Sequence, residues 1–243
     1  MLALLKKEVR SFLSSLIGYV VMGVFLLLIG LFMWIFPGEW NVLDNGLSSL
    51  DTLFTIAPWV FMFLIPAITM RSFAEEQRTG TIELLLTRPL SDLQIILAKF
   101  FGGVILVLIS LLPTLVYYVT IYLIGSPTGN LDVGATWGSY IGLLFLGSAY
   151  VSIGIFTSSI TSNQIVSFLL SVVICFFMYI GFESIGSFDL FGSFDRYIIG
   201  LGMSDHYKGL SRGLVDTRDV LYFVLLSAVF ILGTQTVIQS RKW

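Results

Sequence analysis

The sequence predicts an all-α integral membrane protein with six transmembrane helices. Three observations predict it. Hydrophobic residues fill 56% of the 243 positions and charged residues 12%, about half the charged share of a soluble domain. Six apolar runs reach the roughly 20 residues that a helix needs to cross a hydrocarbon core of about 30 Å. None of those runs contains Asp, Glu, Lys, Arg or His. Helices are expected because lipid offers backbone groups no partner outside their own segment. The runs also lack the polar/apolar alternation of a barrel strand.

Residues 1–15 set Leu4, Leu5, Val9 and Phe12 against Lys6, Lys7, Glu8 and Arg10. That spacing predicts an amphipathic helix on the membrane surface; a plain cationic anchor suits it equally. The first span, 16–36, is too long for a signal-peptide core and no A-x-A-like site follows, so it reads as retained. The second, 53–70, holds Pro58 and Pro66, and the third, 100–124, holds Pro113. Each proline can kink its helix by removing a backbone hydrogen bond. The fourth, 137–156, carries Gly138 and Gly142, a spacing that lets another helix approach, within the chain or from a second copy. The fifth, 165–182, contains the single cysteine, Cys175, so the chain forms no internal disulfide. The sixth is 220–238. The whole reads as one transmembrane domain, 1–243.

Lys and Arg set the orientation. The tail before the first span has three, the 71–99 segment four, the 157–164 loop none and the last residues two. On the other side, 37–52 and 125–136 have none and the long 183–219 loop has four. The excess places both termini in the cytoplasm. Trp34, Trp40 and Trp137 then fall near the outer boundary, where interfacial aromatics collect.

The 71–99 segment is the densest polar stretch between two spans. Ser72-Phe73-Ala74-Glu75 reads as a capping box that starts a short helix. Gly80 interrupts it. Thr81–86 can resume it, with Ile82, Leu85 and Leu86 on one face, until Arg88-Pro89 stops it. Ser91-Asp92-Leu93-Gln94 is a second capping box that opens the third span. The segment is thus a helical elbow with its carboxylates and arginines displayed to the cytoplasm. The same pattern suits an unpartnered amphipathic connector. Its four acidic and four basic groups fit a protein partner better than an anionic leaflet.

Spans without ionisable groups argue against proton-coupled transport, voltage sensing and a polar channel. They also leave no nucleophile–base pair or metal cluster, so no catalytic or metal residue is expected. His206 is the sole histidine and is expected to be solvated or hydrogen-bonded. The pattern G-x-x-x-x-G-K-[ST] is absent, so an ATP-driven process needs its ATPase on another chain. Nothing points to nucleic acid.

The run Glu75-Glu76-Gln77-Arg78-Thr79-Gly80-Thr81-Ile82-Glu83-Leu84-Leu85 resembles the signature of ABC-2-type transporter permeases. The resemblance implies a type V exporter-like permease fold, with an N-terminal connecting helix, a cytoplasmic coupling helix and a re-entrant outer segment before the last span. It implies that Glu75, Glu76, Arg78, Gly80, Thr81, Ile82 and Glu83 meet an ABC ATPase subunit that carries the ATP and Mg²⁺, with no cofactor on this chain. It further implies a dimer with itself or a second permease, in a bacterial inner membrane. More narrowly, the chain is similar to the gliding-motility-associated permeases of Bacteroidetes through His206-Tyr207-Lys208 and the stretch Ser211 to Asp219, with Arg212, Gly213, Asp216 and Arg218, leading into Tyr222-Phe223. The competing readings are a non-transporting scaffold of a motility or secretion machine and, third, a secondary transporter.

In the outer loop, Gly186-Ser187-Phe188-Asp189 is echoed by Gly192-Ser193-Phe194-Asp195. The apolar Tyr197, Ile198, Ile199 and Leu201 that follow can dip back towards the membrane as short helices, or form an ordinary folded loop.

Overall fold

The computed structural model of the chain describes residues 1–81, 91–188, 192–213 and 215–240. Helix α1 (Leu2–Leu13) leads into α2 (Leu16–Gly30), which ends in a π-helical turn, Leu31–Ile35. After one turn at Val42–Asn45 comes α3 (Asp51–Thr69), then the elbow helix α4 (Ala74–Arg78). Helix α5 (Asp92–Leu111) passes through a 3-10 turn at Leu112–Thr114 into α6 (Leu115–Ile124). Then follow α7 (Val133–Ile160) and α8 (Gln164–Phe176), the latter carried on by a π turn, Phe177–Gly181, into α9 (Phe182–Gly186). Two short helices, α10 (Asp195–Ile199) and α11 (Met203–Leu210), precede the last, α12 (Thr217–Ser240). Among the described residues there is no strand.

Six helical stretches are long and apolar enough to cross a membrane: Gly18–Ile35, Asp51–Arg78, Asp92–Ile124, Val133–Ile160, Gln164–Gly186 and Thr217–Ser240. The first lies within its expected run and the other five overrun theirs, because helix geometry continues past the last apolar residue until a cap stops it. The third begins at the Ser91 capping box, with both reciprocal hydrogen bonds formed. It therefore takes Lys99 into the helix. Pro113 sits in the 3-10 turn between α5 and α6, where its missing N–H interrupts the ladder. Pro58 and Pro66 lie inside an unbroken α3.

Helix α7 is the centre of the bundle. Its 28 residues pack against α3, α5, α8, α11 and α12, and 72% of its most apolar stretch is covered, against 22% for α8 and 28% for α2 and α12. Between helices in lipid, close packing replaces the hydrophobic effect as the adhesive, so small residues collect at the contacts. A Cβ on Gly147 would meet Val107 at 2.7 Å, and one on Gly154 would overlap the Thr69 hydroxyl. Helix α2 offers a single inward edge, Val21, Phe25, Ile29 and Met33, four residues apart. There Phe25 stacks on Phe61 of α3 at 4.9 Å. At the end away from the elbow, Trp34 approaches Tyr117 and Trp137 approaches Tyr118.

Gly138 and Gly142 serve packing within the chain. A Cβ on Gly138 would run into the Leu210 carbonyl, and one on Gly142 would lie 3.2 Å from Tyr207. Both belong to the bed on which α11 rests. Helix α11 buries Met203, Ser204, Tyr207 and Leu210, and Tyr207 donates a hydrogen bond to the Phe54 carbonyl of α3 at 2.8 Å. The described part of the segment before α12 thus folds back as short helices. Of the apolar residues read there, Tyr197 and Leu201 are exposed.

Candidate functional site

The elbow after α3 is held from three sides. Phe73 and Ala74 donate their backbone N–H groups to Ser158 Oγ of α7 at 2.9 and 3.0 Å, and the same hydroxyl donates to the Met70 carbonyl at 3.1 Å. One donor and two lone pairs exhaust a serine hydroxyl. Gln77 Nε2 donates to the Ser159 carbonyl at 2.8 Å. This corrects the Ser72 capping box: α4 starts one residue later, with Phe73 in the cap position and no side-chain cap of its own. A serine 85 residues further along supplies the acceptor, which a local pattern cannot show. It also corrects the 157–164 loop, since α7 stays helical to Ile160.

The third tether is ionic. Lys99 Nζ donates to the Ser72 carbonyl at 2.7 Å, to Glu76 Oε1 at 2.8 Å and to Glu8 Oε1 at 3.3 Å. It also lies 5.0 Å from the Phe73 ring centroid. The Lys99 side chain is 2% exposed, Glu76 15% and Glu8 26%. One ammonium therefore joins α1, the elbow and α5. A buried cation demands such company, because each N–H out of water needs an acceptor. Two expectations change. Glu76 faces inward to a salt bridge instead of being displayed, and Glu8, grouped above with the cations of α1, lies on its half-buried side with Leu4 and Phe12, where it reaches Lys99. Lys6, Lys7 and Arg10 stay exposed while Leu4, Leu5, Val9 and Phe12 are half-buried. Helix α1 gets this close because Gly102 leaves room: a Cβ there would sit 3.4 Å from the Glu8 Cβ.

Beyond these tethers the last described residues of the elbow lie at the surface. Arg78, Thr79, Gly80 and Thr81 are exposed. Thr79 closes α4 by donating its hydroxyl to the Glu75 carbonyl at 2.8 Å. Gly80 then takes φ +70°, a conformation that costs glycine little and other residues more. The expected continuation through Ile82 and Glu83 to Arg88-Pro89 lies outside the described residues, so of the seven elbow candidates five are placed: Glu75 and Glu76 on α4, with Arg78, Gly80 and Thr81 at its tip.

The second candidate group lies at the opposite end of α7, roughly 30 Å away by the 20 residues between Gly138 and Ser158. His206 bonds Asp219 Oδ1 through Nδ1 at 2.7 Å and the Gly200 carbonyl through Nε2 at 2.9 Å, and stacks on Tyr222 at 3.9 Å. It fastens α11 to the first turns of α12, as a hydrogen-bonded histidine. Gly213, at φ +85°, passes so close to α7 that a Cβ would lie 2.8 Å from the Ala135 nitrogen. Asp216 Oδ1 accepts from the Arg218 N–H at 2.9 Å. Arg212, Asp216 and Arg218 are exposed and do not join the His206–Asp219 pair. Beside it, Lys208 pairs with Glu183 at 2.6 Å and Ser204 bonds the same carboxylate. Among the described residues no cluster of His, Cys, Asp and Glu could hold a metal.

Reading the sequence missed Lys99, Glu8, Ser158 and Ser159 as members of the elbow site. Two signals were present. The pair Gly102-Gly103 follows Lys99 on α5 and marks a close approach, and Thr157-Ser158-Ser159 is a polar run at the end of an apolar helix.

Residues 2–192, most of the chain, match the family model described as ABC-2 family transporter protein. No curated protein matches the sequence.

Proposed function

The chain belongs to the ABC-2 transporter family and is a multi-pass membrane permease subunit of an ABC transporter; on that premise we propose that its elbow couples a separate ATPase subunit to the bundle. The observation that carries this reading is the elbow's construction. Its root is tied to α1, α5 and α7 through Lys99 and Ser158, while Arg78, Thr79, Gly80 and Thr81 project beyond it. A tip with such a root passes a push on its surface to three helices at once. Ile82 and Glu83 extend the docking segment, and Glu75 flanks it.

In this reading both termini lie in the cytoplasm of a bacterium, the protein sits in the inner membrane, and two permeases pair as a homodimer or with a second permease. The partner ATPases bind ATP and Mg²⁺, and their approach on binding nucleotide moves the elbow. The gliding-motility specialisation rests on the likeness of residues 206–223 and names the machine that the work would serve.

Co-purification of the ATPase tests the proposal. Arg78→Glu with Thr81→Glu should abolish retention while the chain still inserts and folds, and Arg212→Ala at the other end should leave it unchanged. Undiminished retention by the tip variant would overturn the docking role.

A further inference from the structure

Between α1, the elbow and the first turns of α5 lies a cavity of about 250 Å³. Ile68, Gly103 and Leu106 are among its apolar lining, and the exposed Lys7 and Arg71 and the half-buried Glu75 line it too. Glu8, Glu76 and Lys99 form one wall. The lining thus carries three cations and three carboxylates, a formal charge of zero. Such a site does not select an anion; it suits a ligand with both signs of charge.

The wall decides which end of the ligand goes where. All three Lys99 N–H groups are engaged, by Glu8, Ser72 and Glu76, so Lys99 has none left for a phosphate. Lys7 and Arg71 are exposed and make no ion pair among the described residues. Lys99 also fixes Glu76 by its Oε1 and leaves Oε2 buried without a hydrogen-bond donor. That oxygen is closed off from the cavity as well, so the carboxylate left for an ammonium is Glu75, which makes no ion pair among the described residues.

We propose that this cavity binds the phosphoethanolamine group of a zwitterionic phospholipid. Its ammonium donates to Glu75, its phosphate lies between Lys7 and Arg71, and its chains begin along Ile68 and Leu106. The level is right for a headgroup: α1 is amphipathic, and the apolar part of α3 gives way to charge at Arg71. The inference is independent of any partner at the elbow. Phosphatidylcholine fails in such a site because its quaternary nitrogen has no N–H.

Native mass spectrometry of the detergent-purified chain tests this, with phosphatidylethanolamine, phosphatidylcholine and phosphatidylglycerol offered in equal amounts. Phosphatidylethanolamine should be retained over phosphatidylcholine by about tenfold or more, the worth of one hydrogen bond to a charged group. Lys7→Ala with Arg71→Ala should remove that preference, and Arg10→Ala, on the same helix but outside the cavity, should keep it. Equal retention of phosphatidylcholine, preference for phosphatidylglycerol, or a preference that survives loss of Lys7 and Arg71 would each overturn the proposal. Competition with water-soluble glycerophosphoethanolamine separates the sources. Displacement by a modest excess assigns a soluble ligand, resistance assigns the lipid, and both uphold recognition of phosphoethanolamine.

Discussion

Replacing Lys99 with Met should cost about 3–5 kcal/mol, the range for breaking a buried ion pair by removing one partner. The structure says where the loss falls. Glu8, 26% exposed, regains water and contributes little. Glu76 is 15% exposed and its Oε2 already lacks a partner, so losing Lys99 strands a nearly dry carboxylate. The Ser72 carbonyl loses its 2.7 Å donor, about 1 kcal/mol of that total. For a chain of this size that is a fall in midpoint of roughly 6–20 °C, read by thermal unfolding of purified protein in one detergent. The triple variant Lys99→Met/Glu8→Gln/Glu76→Gln should recover at least half of the fall, because no charge is left stranded. A single variant that melts within about 2 °C of the parent would refute the reasoning, since Lys99 would then behave as an exposed pair. So would a triple variant no better than the single.

Ser158→Ala leaves two backbone N–H groups without an acceptor, about 1–3 kcal/mol each if they stay buried; amide exchange at Phe73 and Ala74 should quicken while α12 keeps its protection, and unchanged exchange would show that the cap is dispensable. Gly154→Ala drives a methyl into the Thr69 hydroxyl, which already bonds the Ile65 carbonyl at 2.9 Å, and should cost about 1–3 kcal/mol. Gly23→Ala, with nothing within 4 Å of its Cβ, is the neutral control for the same melt. Asp219→Ala strands His206 Nδ1 against Tyr222 and should cost about 1–2 kcal/mol, whereas exposed Arg212→Ala should stay within about 0.5 kcal/mol; equal melts for the two would show that the histidine pair does not fasten α11 to α12.

What sequence could show and what it could not divides by range. The six apolar runs, the Ser91 capping box and the break at Gly80 are written in contiguous residues, and the helices follow them. Pro113 marks a turn for the same local reason. The cap on Phe73 and Ala74 comes from Ser158, and the partner of Lys99 comes from Glu8 as well as Glu76. Neither pairing has a local signature, because both depend on which helices meet. Glu8 shows the difficulty in small. Grouped by charge it goes with Lys6, Lys7 and Arg10, but helix periodicity sets it four residues from Leu4 and from Phe12, on the half-buried side of α1 that meets α5. Counting Lys99 as one more positive-inside charge hid its burial, since a tally of charges is blind to depth.

Helix α7 runs from Val133 to Ile160 without a break, about 42 Å at 1.5 Å per residue. Its neighbour α8 runs on into a π turn, as α2 does elsewhere in the bundle, and α5 gives way to α6 through a 3-10 turn. Irregular turns are where helices yield. The bundle is therefore a stiff rod among jointed ones. Ser158 and Ser159 grip the elbow at one end of that rod, and Gly138 and Gly142 seat α11 at the other. A helix without such turns is the member best built to carry a displacement from one end to the other, while the jointed helices can take up the difference in length and angle. Stiffness here is distributed unevenly, and the longest unbroken member touches both ends.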